Sequence, residues 1–73
     1  MPATYTIKLR LKDLLEEKSM TQKQLSELTG IRPSTISKLT RNEGTGINYY
    51  HLKKICQVLK VNDISDIIDF NSA

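Results

Sequence analysis

The side chains able to do chemistry in this sequence are mostly cations and hydrogen-bond donors, gathered in one stretch. Gln22, Lys23, Arg32, Ser34, Thr35, Ser37, Lys38, Arg41, Asn42 and Asn48 lie there, opposed only by Glu27 and Glu43. Lys53, Lys54 and Lys60 extend the basic character, whereas residues 61 to 73 carry Asp63, Asp66 and Asp69 and no cation. A basic middle beside an acidic tail suits a face turned toward a polyanion, although charge by itself fits a solvated surface equally well. Groups for covalent chemistry are scarce. His51 is the only histidine and Cys56 the only cysteine, so a triad or a metal site has little to build on. Cys56 sits at helical spacing from Leu52 and Leu59, which suits a core position, and His51 reads as an exposed helix residue. The three aspartates lack the glycine and terminal glutamate of a calcium loop. The expectation is a protein that is not an enzyme and has no cofactor and no metal.

The elements that must position these donors are short helices. Tyr5-Thr6-Ile7 alternates β-formers and reads as a short strand, after which Ile7, Leu11, Leu14 and Leu15 make one apolar helical stripe ending near Ser19. Thr21 and Gln24 have the spacing of a capping box, Met20 and Leu25 that of a hydrophobic staple. Leu25 and Leu28 are then expected to face inward, with Gly30 as the stop. Pro33 suits the first position of a third helix, over about residues 33 to 40, whose buried pair is Ile36 and Leu39. Asn42-Glu43-Gly44-Thr45-Gly46 is a loop by composition. Asn48 caps a fourth helix, with Ile47 and Leu52 as a second staple, carrying Leu52, Ile55, Cys56 and Leu59 on one face. Asn62 is expected to cap a last short helix with Ile64, Ile67 and Ile68, after which Asp69-Phe70 can extend and pair with Tyr5 to Ile7. The fold class is all-α: one compact five-helix domain over residues 1–73, with room for a strand pair between the termini.

Residues 21 to 41 hold the informative geometry. Two helices of about eight residues meet across a turn too short for antiparallel packing, so they cross steeply, as in a helix-turn-helix. A small residue is needed where they touch, and Ser26 supplies it. On helix three, Ser34, Lys38 and Arg41 cluster almost opposite Ile36 and Leu39, with Thr35 and Ser37 on the flanks. Short polar side chains near the start of the helix and long cations beyond suit a helix entering a DNA major groove. Lys38 could donate to guanine O6 and N7, and Ser34 to any base edge. The free amides at the start of helix two, with Gln22 and Lys23, favour a phosphate. Arg41, Asn42 and Asn48 border the next loop and could hold the far side of the groove, and Arg32 is placed to touch DNA.

The run MTQKQLSELTGIRPSTISKLTRNEG, followed by NYYHLKKICQVLKVNDISDII, resembles the Cro/C1-type helix-turn-helix family of phage and bacterial repressors. The likeness spans about Ile7 to Ile68, and Gln22, Ser26, Gly30 and Ile36 are its most diagnostic positions. It implies a lambda-repressor-like fold, with Gln22 touching DNA backbone and orienting the reading helix. It further implies base contact at Ser34 and Lys38 and phosphate contact at Thr35. Two positions depart from the pattern: Arg32 stands where Ser or Thr usually caps helix three, and Ser26 where alanine is commoner.

Size and composition bound the rest. Seventy-three residues with 38% hydrophobic content make one small globular domain with a modest core. Apolar runs reach two residues, against about 20 for a membrane span, and the start of the chain lacks the blocks of a signal peptide. A lone cysteine fits a reducing cytoplasm. The expectation is a cytoplasmic regulator, a repressor of transcription, reading double-stranded DNA as a homodimer on an inverted repeat. Two alternatives stay open: an antitoxin of this fold whose partner is a toxin protein, and a protein-interaction module without DNA affinity. No separate ligand-sensing domain is expected at this length.

Overall fold

The computed structural model describes residues 4–44 and 46–72; Thr45, expected in the loop after helix three, lies outside the described residues. The elements run β1 (Tyr5–Leu9), α1 (Leu11–Glu17), α2 (Gln22–Thr29), α3 (Pro33–Thr40), α4 (Tyr49–Leu59), a 3-10 turn (Ile64–Asp66) and β2 (Ile68–Ser72). The expected five helices are therefore four, followed by a single 3-10 turn. Asp63, not Asn62, caps that turn, its carboxylate accepting from the Ser65 amide at 3.0 Å and the Ser65 hydroxyl at 2.9 Å. These bonds hold the Asp63 carboxyl below its ordinary range, the backbone donor contributing most. The turn cannot propagate because the β-branched Ile68 is drawn into β2, where strand pairing offers the backbone other partners. Ile67 is fully buried, whereas Ile64, expected to share that face, is exposed.

The strands pair antiparallel with Leu9 opposite Ile68, Ile7 opposite Phe70 and Tyr5 opposite Ser72, so the expected joining of the termini is present and longer than Tyr5 to Ile7. Ile7 is accordingly no part of the first helical stripe and is exposed. The Arg10 amide donates to the Ile67 carbonyl at 2.7 Å, which holds the chain in the sheet until α1 can begin at Leu11. The stripe that remains, Leu11, Leu14 and Leu15, is buried throughout. Leu25, Ile31, Ile36, Leu39, Ile55, Leu59 and Ile67 complete one core cluster, onto which Leu9, Met20, Ile47, Leu52, Cys56 and Ile68 pack from the edges.

Local chemistry sets the helix ends. Thr21 Oγ1 accepts from the Gln24 amide at 3.1 Å and Gln24 Oε1 accepts from the Thr21 amide at 2.9 Å, which closes the capping box. Gly30 ends α2 at φ +75°, a backbone conformation that costs other residues roughly 1–2 kcal/mol. Leu28 departs from expectation and is exposed. The buried stripe of α2 is Leu25, Ser26 and Thr29, and at about 100° per residue Leu28 lies off its edge. Asn48 caps α4 by accepting from the His51 amide at 2.7 Å. His51 is half-buried, not exposed, and Tyr49 and Tyr50 lie outside the core. Burial pushes the Cys56 thiol up from its ordinary range, in keeping with a packing role. Among the described residues no helix is long and apolar enough to cross a membrane.

Candidate nucleic-acid interface

The turn between α2 and α3 is closed by two hydroxyls. Ser26 Oγ donates to the Ile31 carbonyl, and Thr29 Oγ1 donates to the Leu25 carbonyl at 2.7 Å while accepting from the Ile31 amide at 3.2 Å. Ser26 thus has its hydroxyl satisfied at the helix contact, where alanine would leave the Ile31 carbonyl one donor short. These bonds bracket Ile31, whose buried side chain ties the turn to the core. Two eight-residue helices are in this way held at one fixed crossing.

Held so, α3 buries Ile36, Leu39 and Thr40. Ser34, Lys38 and Arg41 are exposed, within about 60° of one another on the opposite side, and the half-buried Thr35 and Ser37 flank them. Pro33 has no N–H and the Thr35 amide is taken by the Arg32 carbonyl at 3.0 Å, so the Ser34 amide remains the unspent donor at this helix start. Arg32, at the cap position with φ −59° and ψ 142°, makes no side-chain capping bond and stands exposed beside it. The departure at Arg32 leaves a cation where a capping hydroxyl would otherwise sit.

At the start of α2 the capping box uses the amides of Thr21 and Gln24, which leaves those of Gln22 and Lys23 facing solvent. Both side chains are exposed, and the Gln22 carboxamide donates to Thr40 Oγ1 at 3.2 Å. That bond brings the amino end of α2 beside the carboxyl end of α3. Thr40, which sequence reasoning passed over, is the link: it is buried and also donates to the Ser37 carbonyl at 2.7 Å. Its position four residues after Ile36, on the buried stripe, was the signal available.

The remaining expected site residues divide. Arg41 is exposed and pairs with Glu43 at 3.1 Å, an open ion pair of small energy that a phosphate could displace. Asn42, at φ +54°, commits both polar ends of its side chain to the last residue of β1, accepting from the Leu9 amide at 2.7 Å and donating to the Leu9 carbonyl at 3.1 Å. Asn48 commits its carbonyl oxygen to the α4 cap. The structure thus gathers Gln22, Lys23, Arg32, Ser34, Lys38 and Arg41 as accessible donors around α3, and gives Asn42 and Asn48 architectural bonds. Such an arrangement can meet a rod of phosphates on two sides and present one helix face to base edges. Among the described residues no three His, Cys, Asp or Glu side chains gather to hold a metal ion.

Comparison with known proteins agrees with this geometry. A family model described as a Cro/C1-type HTH DNA-binding domain matches residues 10–73. Among solved structures, that of the transcriptional regulator VanUg, form II, superimposes with a TM-score of 0.72 at 28% identity, covering 94% of this chain and 89% of that one. No curated protein matches the sequence.

Proposed function

The chain belongs to the Cro/C1-type helix-turn-helix DNA-binding family, and on that premise we propose that it is a cytoplasmic transcriptional repressor. It reads duplex DNA with the Ser34–Lys38–Arg41 face of α3 and binds an inverted repeat as a homodimer. The observation that carries the reading is that face itself. It is polar and cationic and lies opposite Ile36 and Leu39, and the Gln22–Thr40 bond brings the start of α2, with its unspent amides, to the end of the same helix. The likeness to a protein described as a transcriptional regulator supports the regulatory role.

Each part has its task in this mechanism. Lys23, Arg41 and the α2 amides neutralise and hydrogen-bond phosphates, which sets register. The Gln22–Thr40 bond holds α3 at a constant angle to that anchor. Lys38 and Ser34 then meet base edges, where a lysine donating to guanine discriminates by about 1–3 kcal/mol. A helix of eight residues spans few base pairs, so two copies on adjacent half-sites about 34–36 Å apart give the specificity a regulator needs.

The test is a fluorescence anisotropy titration of a duplex recovered by selection from a random pool, repeated across salt concentrations. Binding is expected to weaken with a slope of about −0.9 per neutralised phosphate in a log–log plot. The recovered sequences are expected to form an inverted repeat. Absence of binding, or affinity indifferent to salt, would overturn the proposal in favour of a protein-interaction module.

A further inference from the structure

Helices α2 and α3 end differently. Gly30 stops α2 in the left-handed region, whereas α3 is stopped there by Asn42, at φ +54°. The main chain closes this end without help. The Glu43 amide donates to the Lys38 carbonyl at 2.9 Å and the Asn42 amide to the Leu39 carbonyl at 3.2 Å, the paired bonds of a Schellman turn. Glycine is the residue that takes such a conformation at least cost. The asparagine side chain is therefore not needed for the stop, and it reaches back 33 residues instead.

Its carboxamide accepts from the Leu9 amide at 2.7 Å and donates to the Leu9 carbonyl at 3.1 Å, as a neighbouring strand would. Both groups lie on the outer edge of β1, since the adjacent Arg10 amide turns the other way, to the Ile67 carbonyl at 2.7 Å. The ribbon thus grips the chain just past the end of α3, at the residue between Arg41 and Glu43, whose side chains pair at 3.1 Å. From its other side the same helix end is tied to α2 by the Gln22–Thr40 bond.

We infer that Asn42 is a positioning residue for DNA binding: it clasps the carboxyl end of α3 to β1 and so holds the Arg41 guanidinium ready for a phosphate. With both ends of its carboxamide committed, Asn42 makes no DNA contact of its own. Its effect runs through Arg41. A long cation on an unanchored loop has to be ordered when it binds, and the clasp has done that ordering in the free protein. This role rests on the DNA reading above and adds to it a link from the terminal ribbon to the phosphate grip. By reciprocity, DNA held through Arg41 tightens the clasp by the same factor.

Anisotropy titrations on selected and random duplex, well below the melting temperature, test this role. Asn42→Gly keeps the backbone conformation and removes the clasp. Its lower conformational cost offsets part of the lost bonding, so circular dichroism melts are expected to change little. Its affinity is expected to fall roughly threefold to tenfold on both duplexes, the scale of ordering one long side chain. Arg41→Gln is expected to weaken binding by itself, and adding Asn42→Gly to it should weaken binding no further. In the wild type, amide hydrogen exchange at Leu9 should slow by that same factor when duplex is added. The slowing should exceed any at Arg10, whose bond belongs to the ribbon alone. This wild-type measurement decides the matter even where a variant fails to fold. An Asn42→Gly affinity equal to that of the wild type overturns the inference, as do additive losses with Arg41→Gln, or Leu9 and Arg10 amides that slow equally. A wild type that binds no duplex sinks the DNA reading itself, and this role with it.

Discussion

Thr40→Val removes one hydroxyl from the joint between the two helices of the interface and leaves the volume of the side chain nearly unchanged. In the native chain that hydroxyl donates to the Ser37 carbonyl at 2.7 Å and accepts from the Gln22 carboxamide at 3.2 Å, at a residue 7% exposed. The Ser37 carbonyl also accepts from the Arg41 amide at 3.2 Å, and Gln22 is exposed, so neither partner is stranded without an alternative. Loss of the Gln22 bond is then the main effect, about 0.5–1.5 kcal/mol of stability. For a domain of this size that lowers the melting temperature by roughly 2–12 °C, at about 4–8 °C per kcal/mol. The functional consequence is separable. On the proposed reading, in which the start of α2 anchors phosphate, releasing Gln22 frees α3 from that anchor, and affinity should fall by a similar factor, about 2–10-fold, on every duplex sequence. Calorimetric melts and anisotropy titrations on specific and random duplex measure the two parts. Adding Gln22→Ala in the Thr40→Val background should cost almost nothing more in stability. Fully additive losses would refute the reasoning, because they would mean that Gln22 and Thr40 act separately.

Lys38→Ala is expected to relax preference at one base pair of the selected site, at a cost of about 1–3 kcal/mol on that site; equal weakening on all sequences would reassign Lys38 to phosphate. Gly30→Ala should cost about 1–2 kcal/mol in urea denaturation from its positive φ alone, since a Cβ there meets nothing within 4 Å; a markedly larger loss would point to a steric role. The Asp63 carboxyl is held below its unfolded value by Ser65, so its contribution to stability is present above about pH 3.9 and fades as pH falls through the lower folded value. Thermal melts between about pH 2 and 5 should therefore decline less steeply for Asp63→Ala, and identical pH profiles would remove that bond from the account.

Local chemistry in the sequence determined the helix-turn-helix and its orientation. The Thr21–Gln24 box, Gly30, Pro33 and the Asn48 cap act over three or four residues, so their consequences follow from spacing alone. The opposition of Ile36 and Leu39 to Ser34, Lys38 and Arg41 follows from helix periodicity in the same way. Tertiary structure decided what depends on distant partners. Ile7 fits a helical stripe as well as a strand, and only pairing with Phe70, far along the chain, placed it in the sheet. Leu28 lost its expected place in the core because the hydroxyls of Ser26 and Thr29, satisfied at the turn, could occupy the buried side of α2. Asn42 was readable as a donor, but its bonds to Leu9 depend on where β1 runs. Thr40 gained its part only once the start of α2 lay against the end of α3. Side-chain type and spacing thus set which residues could meet DNA, and contacts between distant parts of the chain set which of their polar groups were spent on the fold.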